Sequence, residues 1–328
     1  MIVTLTANPA LDRTIALDAP LAPGEVQSAS SVQEDAAGKG VNVARVLGAF
    51  GAEALAVLPV ADDDPYRRLL PPELPVRTIA APAAARVNLA LTDAAGETTK
   101  INLAGAPLGA AVVDALVDAV VHAADGADWL ALCGSLPADA PDDLYARIIA
   151  EVRRRAAAPP RIAVDATGAA LAAVVSAADE IGPVDLVKPN EHELAQLVAD
   201  IVPGSDRGAL LAEVRGDAVG ASARLARRIV PIAARTALVT LGGDGALLVD
   251  ADGIWHAGIP AGVEVRSTVG AGDSSLAGYL LAELRGADAA ERLRSAVRCG
   301  SATASLPGTR LATPADLPSG DIPVRPLV

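Results

Sequence analysis

Six short segments of this chain read as strands, several of them nearly all apolar: Met1 to Ala7, Ala54 to Val60, Trp129 to Cys133, Ile162 to Asp165, Asp185 to Lys188 and Ala237 to Leu241. A strand with one wet face alternates polar and apolar residues, so strands that are apolar at successive positions must be covered on both faces. Between them lie stretches of helical character: Val41 to Gly51, with Val41, Ala44 and Leu47 on one face, then Asp142 to Ala157, Glu191 to Ile201 and Ala218 to Ile232. Alternating strands and helices of this kind predict one doubly wound α/β domain, with a mainly parallel sheet flanked by helices. Two regions break the pattern. One runs from Leu11 to Ala36; the other, Arg86 to Leu103, places two short alternating runs around the turn Asp93-Ala94-Ala95-Gly96, as a hairpin does. The final Pro-Val-Arg-Pro-Leu-Val reads as a loose tail.

Composition narrows the function classes. The chain has 328 residues, 52% hydrophobic and 20% charged, enough for a large core. Its few aromatic residues offer little surface for stacking nucleobases, and a formal net charge of −13 provides no broad basic face for nucleic acid. Any phosphate ligand must therefore be met by local cations. Cys133 and Cys299 are too few for a disulfide framework or a zinc site and read as buried thiols in a reducing cytoplasm. The uncharged stretch Ala166 to Ala178 is too short to span a bilayer, and no basic region precedes the first apolar run.

The segment Ser267-Thr268-Val269-Gly270-Ala271-Gly272-Asp273-Ser274-Ser275 carries the strongest chemical signal. Leu276, Leu280 and Leu284 follow at helical spacing, so a helix with a buried face begins at the glycines. The first N–H groups of a helix lack intrahelical partners, and Gly270 and Gly272 leave room for an anion to reach them. Asp273 then faces that anion as a candidate base. A second glycine turn, Gly38-Lys39-Gly40, enters the helix that begins near Val41. It is no P-loop, because Val41 stands where a metal-binding hydroxyl is needed, and Val43 replaces the third glycine of a dinucleotide fingerprint.

All but three of the 27 basic residues are Arg, and Lys39, Lys100 and Lys188 all fall in or beside the segments already singled out. An ammonium and a guanidinium do different work, which argues against simple solvation of these lysines. Lys188 ends a strand, at the edge where parallel sheets bind ligands. Just after it, Asn190 and Glu193 are three apart in a first helical turn. That spacing suits Mg²⁺ held through water, and equally suits an Asn cap with an acidic residue favouring the helix dipole.

Taken in order, these segments resemble the phosphofructokinase B branch of the ribokinase-like sugar kinases. Gly270-Ala271-Gly272-Asp273 is similar to that family's C-terminal motif, Thr4-Leu5-Thr6-Ala7-Asn8-Pro9-Ala10-Leu11-Asp12 to its opening strand, and Gly38-Lys39-Gly40-Val41-Asn42-Val43-Ala44-Arg45 to its N-terminal motif. Gly134-Ser135-Leu136-Pro137, Val187-Lys188-Pro189-Asn190-Glu191-His192-Glu193-Leu194 and Val239-Thr240-Leu241-Gly242-Gly243-Asp244-Gly245-Ala246 fall between them in family order. The resemblance implies a ribokinase-like core (1–11, 37–85 and 104–328) with a small β-sheet lid (12–36 and 86–103).

The same resemblance implies that Asp273 is the catalytic base, with the backbone of Gly270, Ala271 and Gly272 as anion hole. Asp12, Gly38, Lys39, Asn42, Arg86, Asn88, Lys100 and Ser135 bind the acceptor, Lys39 and Arg86 sharing a phosphate already on the sugar. ATP meets Lys188, Asn190, Thr240, Gly242, Gly245 and Thr268, and Mg²⁺ meets Glu193 and Asn190. The implied reaction phosphorylates a ketohexose phosphate, first of all fructose 1-phosphate to fructose 1,6-bisphosphate, with tagatose 6-phosphate and fructose 6-phosphate as alternative acceptors. A homodimer formed through the lid is a further implication. His122, His192 and His256 receive no role. A nucleoside or bare-sugar kinase would have no use for Lys39 with Arg86, and a regulator that had lost catalysis would be expected to lose Asp273 or the glycines.

Three places depart from the family pattern. Ala36-Ala37 precede Gly38, Ala61-Asp62-Asp63-Asp64-Pro65 replaces a glycine-bearing turn at the rim of the acceptor pocket, and Leu306-Pro307 precede Gly308-Thr309-Arg310. A monovalent-cation site at the last loop is not carried over.

Overall fold

Strand β1 (Ile2–Thr6) is buried at every residue, with Val3 and Leu5 in one apolar cluster and Ile2 in the other. This two-sided burial sets the architecture seen in a computed structural model, which describes residues 1–327. The chain continues through β2 (Ala10–Leu17), β3 (Ala29–Ala37), α1 (Lys39–Ala49), β4 (Ala54–Val60), α2 (Tyr66–Leu69), β5 (Val76–Ala80), β6 (Arg86–Thr92), β7 (Thr98–Asn102) and α3 (Ala110–Ala124). Next come β8 (Trp129–Cys133), α4 (Leu144–Arg155), β9 (Arg161–Asp165), α5 (Gly168–Ser176), α6 (Ala178–Ile181), β10 (Val184–Val187), α7 (Glu191–Ile201), α8 (Arg207–Gly216) and α9 (Ala218–Ala226). The last elements are β11 (Ala234–Thr240), β12 (Ala246–Val249), β13 (Ile254–Ala257), α10 (Ala271–Leu284), α11 (Ala289–Ala304) and β14 (Val324–Pro326).

The main sheet has ten strands in the order β14-β13-β12-β11-β10-β9-β8-β1-β4-β5. From β5 to β11 every neighbouring pair is parallel; the remaining three strands add antiparallel pairs at one edge. One apolar cluster contains residues of α3, α4, α5, α7 and α9, and the other contains residues of α1, α10 and α11. The expected doubly wound, mainly parallel arrangement is therefore present. No helix among the described residues is long and apolar enough to cross a membrane.

A second, four-stranded sheet runs β3-β2-β6-β7, with β6 and β7 forming the expected hairpin. It is two-faced. Register places Asp12 beside Asn88, and Asn88 beside Asn102, on one side of the pleat; Ile15, Val32, Leu89, Leu91 and Ile101 fall on the other. The sheet starts at Ala10 and β3 ends at Ala37, so both boundaries extend slightly into the segments expected to be core.

Several expectations need correction. The C-terminal residues are no loose tail, since β14 pairs with β13, Leu327 N–H donates to the Ile254 carbonyl at 2.8 Å, and Arg294 Nε donates to the Ile322 carbonyl at 3.1 Å. Only Val328 lies outside the described residues. The helix expected to reach Ile232 stops at Ala226, because Pro231 has no N–H and its ring excludes the helical conformation from the residue before it. Helix α10 is buried all round from Asp273 to Ala282, as α1 and α11 both pack against it.

Candidate active site

The carboxyl ends of the parallel strands and the N-termini of α1, α7 and α10 open into one cleft of about 640 Å³, within the usual range for small-molecule sites. The polar face of the second sheet supplies Asp12, Arg86 and Asn88; the first turn of α1 supplies Gly38, Lys39 and Asn42. Lys188, Asn190 and Glu193 line the cleft at the β10–α7 junction, Thr240, Gly242, Gly245 and Thr268 along another wall, and Gly270, Ala271, Gly272 and Asp273 at the start of α10. Two expected residues fall outside. Ser135 is exposed and its Oγ accepts a hydrogen bond from Asn8 Nδ2 at 3.3 Å. Lys100 pairs with Ala90 on β7, on the same face as Asn88 but one side-chain repeat farther along the hairpin, where it is exposed beyond the cleft.

Two of these helix starts, those of α1 and α10, depend on glycines. A Cβ on Gly40 would lie 2.5 Å from the Leu5 carbonyl oxygen, so α1 approaches the end of β1 this closely only without a side chain. Val41 N–H then donates to Thr6 Oγ1 at 2.9 Å. Gly270 takes φ 75°, and a Cβ there would strike Leu311 Cδ2 at 2.5 Å. After this turn Ala271 N–H makes only a long bond, 3.4 Å to the Thr268 carbonyl, and the Gly272 and Asp273 amides have no backbone acceptor. A Cβ on Gly272 would stand 3.3 Å from Lys188 Nζ, which brings an ammonium against the free amides. Amides and ammonium together form a site for an anion.

Asp273 is 6% exposed and one of its oxygens, Oδ2, accepts from Asn42 Nδ2 at 2.8 Å. Burial, then the charge of Asp165, push its carboxyl up to about 6, against the opposing pull of Lys39, Asn42 and Lys188. A carboxyl with that value is largely ionised at neutral pH yet basic enough to accept a proton. On the second sheet, Asn88 Nδ2 donates to Asp12 Oδ1 at 2.8 Å. Burial raises Asp12 above the ordinary carboxylate value, against the bond from Asn88 and the charge of Arg86. Buried Asn88 Oδ1 and Arg86 Nε have no protein partner, and Arg86 makes no ion pair among the described residues.

Asn190 and Glu193 form a capping box: Asn190 Oδ1 accepts from Glu193 N–H at 2.8 Å, and Glu193 Oε2 accepts from Asn190 N–H at 2.9 Å. The capping arrangement is thus realised, and it uses only one carboxylate oxygen of Glu193, a residue that lines the cleft. Thr240 pairs with Asn190 across a single bridge, and Leu241 N–H closes the glycine turn onto the Gly245 carbonyl at 2.9 Å. Two histidines left without a role have places nearby: His192 lines the cleft, and His256 Nε2 donates to the Asp244 carbonyl at 2.8 Å, bracing that turn.

Asp165 is the residue that the sequence reading missed. It has no exposed surface at the end of β9, and Lys39 Nζ reaches its Oδ1 at 2.8 Å while Lys188 Nζ lies 3.1 Å from its Oδ2. Burial acts to raise the Asp165 carboxyl, but Lys188 and Lys39 outweigh it and hold the group below the usual range. The signal was available: an Asp at the carboxyl end of an apolar strand, beside the strand that ends at Lys188.

Comparison with known proteins gives the family. Residues 6–316 match the model of the pfkB family of carbohydrate kinases. A 1-phosphofructokinase from Xanthomonas campestris pv. campestris is 36% identical over 304 residues, covering 92% of this chain and 88% of the relative. The ATP-dependent 6-phosphofructokinase isozyme 2 of Escherichia coli is 32% identical over 315 residues, 94% of each chain. The crystal structure of Escherichia coli phosphofructokinase-2 in complex with potassium superposes with a TM-score of 0.80 at 30% identity, covering 96% of both chains.

The chain belongs to the pfkB carbohydrate kinase family. If Asp273 is the base, it must be deprotonated to act, so acceptor kcat/KM is expected to rise with pH through about 6, the value to which Asp273 is raised, and to level off above it. Asp165→Asn removes an anion that raises Asp273 and should move this acid limb to lower pH. It also leaves two ammonium groups without their shared partner, which should cost roughly 3–5 kcal/mol of stability. Acceptor kinetics from pH 4.5 to 8 and urea denaturation check both outcomes; an unmoved limb removes Asp165 from the electrostatics of Asp273.

Proposed function

We propose that this kinase transfers the γ-phosphoryl group of ATP to fructose 1-phosphate, giving fructose 1,6-bisphosphate. One observation carries the reading: a raised, buried carboxylate, free amides backed by an ammonium, and an unpaired guanidinium line the same cleft. Asp273 takes the proton of the acceptor hydroxyl as that oxygen attacks the γ-phosphorus, and ADP leaves. The amides of Gly272 and Asp273, with Lys188, stabilise charge on the transferring group. The names of the relatives favour a fructose phosphate as acceptor. Tagatose 6-phosphate and fructose 6-phosphate remain the alternative acceptors of this site.

The expectation that Lys39 and Arg86 share the acceptor phosphate is refined by their partners. Lys39 is tied to Asp165, and Asp165 and Asp273 hold its ammonium charged against the effect of burial, so we assign it to the reacting end. Arg86 makes no direct ion pair, feels only the charge of Asp12, and stands on the second sheet close in sequence to Asn88, which suits it to a phosphate already on the sugar. Mg²⁺, which neutralises charge on nucleotide phosphates, suits the donor set only through water, because Glu193 contributes one free carboxylate oxygen and no cluster of three or more His, Cys, Asp or Glu side chains exists among the described residues. The apolar outer face of the lid, with Val32 57% and Ile101 47% exposed, fits a second copy of this chain. Free, buried Cys133 and Cys299 agree with a reducing cytoplasmic setting.

Asp273→Asn should lower kcat by about 10²–10⁴-fold with ATP binding retained. A panel of fructose 1-phosphate, fructose 6-phosphate, tagatose 6-phosphate, fructose and adenosine tests the acceptor; faster turnover of fructose or adenosine sinks the phosphosugar reading. Arg86→Gln should raise the phosphosugar KM roughly ten- to a hundredfold, the size of one lost charge-assisted bond, and leave the ATP KM in place. Lys39→Met should instead act mainly on kcat, and the reverse pattern would exchange the two assignments. Glu193→Gln should raise the Mg²⁺ concentration needed for half-maximal rate; an unchanged requirement leaves Glu193 as a cap alone. Val32→Lys with Ile101→Lys should convert a dimer into a monomer in sedimentation equilibrium, and a wild-type monomer rules the lid dimer out.

A further inference from the structure

The turn that departs from the family pattern holds one carboxylate inside the protein. Asp62 and Asp63 are exposed, whereas Asp64 is 5% exposed. Its Oδ1 accepts from the Tyr66 amide at 2.9 Å, which starts α2. Its Oδ2 accepts from the Ala85 amide at 2.6 Å, 21 residues away. A local cap accounts for the first bond but not for the second. Tyr66, fully buried, donates its hydroxyl to the Ala37 carbonyl at 2.8 Å. Burial pushes the phenol well above its ordinary value, so it stays a donor throughout the working pH range.

Neither side chain lines the cleft, but their partners stand next to residues that do. Ala85 immediately precedes Arg86, and Ala37 immediately precedes Gly38 and Lys39. Arg86 makes no ion pair among the described residues and its Nε has no partner, so no hydrogen bond from another side chain holds its guanidinium; only the charge of Asp12 acts on it. The backbone at 85–86 must set it instead. One segment, Asp64 to Tyr66, thereby ties together the chain entering β6 and the chain leaving β3.

We infer that Asp64 and Tyr66 are positioning residues for acceptor selection, a bracket that fixes Arg86 relative to the Gly38 turn and so favours phosphorylated over bare sugars. The inference rests on the assignment of Arg86 to the acceptor phosphate. Asp64→Asn presents an N–H or a single oxygen where two amides need acceptors, and Tyr66→Phe removes one hydroxyl and nothing else.

The test uses the full-length protein, with KM and kcat for fructose 1-phosphate, fructose and ATP, and calorimetric binding of fructose 1-phosphate without nucleotide. Asp64→Asn should weaken phosphosugar binding and raise its KM about tenfold or more, with a smaller change of the same kind in Tyr66→Phe. The ATP KM should stay within about twofold, and kcat/KM for fructose should fall much less than for fructose 1-phosphate. Because Asp64 acts through Arg86, adding Asp64→Asn to Arg86→Gln should raise the KM little further. Equal losses for both acceptors and ATP, or full additivity with Arg86→Gln, overturn the inference. Should Asp64→Asn fail to fold, Tyr66→Phe decides, and unchanged phosphosugar affinity in it is equally fatal. A wild-type protein that binds none of the three ketohexose phosphates overturns the acceptor assignment itself, a result distinct from a bracket that fails in a protein that binds them.

Discussion

A carboxylate with no exposed surface, as Asp165 is, loses hydration worth several kcal/mol unless other charges replace the water. Here two ammonium groups do so, and they arrive from different parts of the chain. Lys39 is the first residue of α1, while Lys188 directly follows β10, the neighbour of β9 in the sheet. Lys188 in turn lies against Gly272, at the start of α10. One anion thus draws a strand end and two helix starts to a common point; Gly40 lets α1 approach the end of β1, and Gly272 lets α10 approach Lys188. With Asp273 ionised, two ammonium groups and two carboxylates offset one another. That balance places a strong local field in a cleft whose surrounding protein is acidic overall, which is how a chain of net charge −13 can receive phosphate.

The main sheet was legible in the sequence through strands whose burial is two-sided, and the β6–β7 hairpin through its turn. Strands such as Trp129–Cys133 show no charged residue at all and leave no face that water could wet, so only an interior strand suits them. Strand β14 was not legible, because Val-Arg-Pro has no pattern of its own and becomes a strand only by pairing with β13. Strand β3 is exposed over most of its length, so hydrophobicity could not announce it; the break in the pattern marked the region, and only the family resemblance made it part of a small sheet.

The site was read in the same uneven way. Scarcity of lysine singled out Lys39 and Lys188, which do converge, and it singled out Lys100 equally, although that residue sits one repeat too far along its hairpin. Sequence supplies the strand and the face, but the reach of the cleft is a tertiary property. Asn190 and Glu193 showed a real signal with two meanings, and the capping box shows that one of them is met without settling the other. Asp165 escaped because an acidic residue after an apolar strand is common, and only the meeting with two lysines sets this one apart.

The arrangement also divides labour between layers. The groups assigned to proton and phosphoryl transfer stand on elements locked into the main core: α10 is buried all round, and β9 and β10 are interior strands. The groups assigned to acceptor selection stand on the second sheet, whose strands are half-buried or exposed and whose cleft-facing side chains, Arg86 and Asn88, retain unpartnered buried atoms. Rigid packing around Asp273 preserves the raised carboxyl and the aim of the amides, since a small displacement there is costly to the rate. Unsatisfied polar atoms in the lid carry the opposite property: they are completed only by a ligand, so an acceptor lacking the matching group leaves them unpaired in a closed site. Selection between sugar phosphates can then change through the lid and the turn that holds Arg86, while the charge cluster around Asp165 stays as it is.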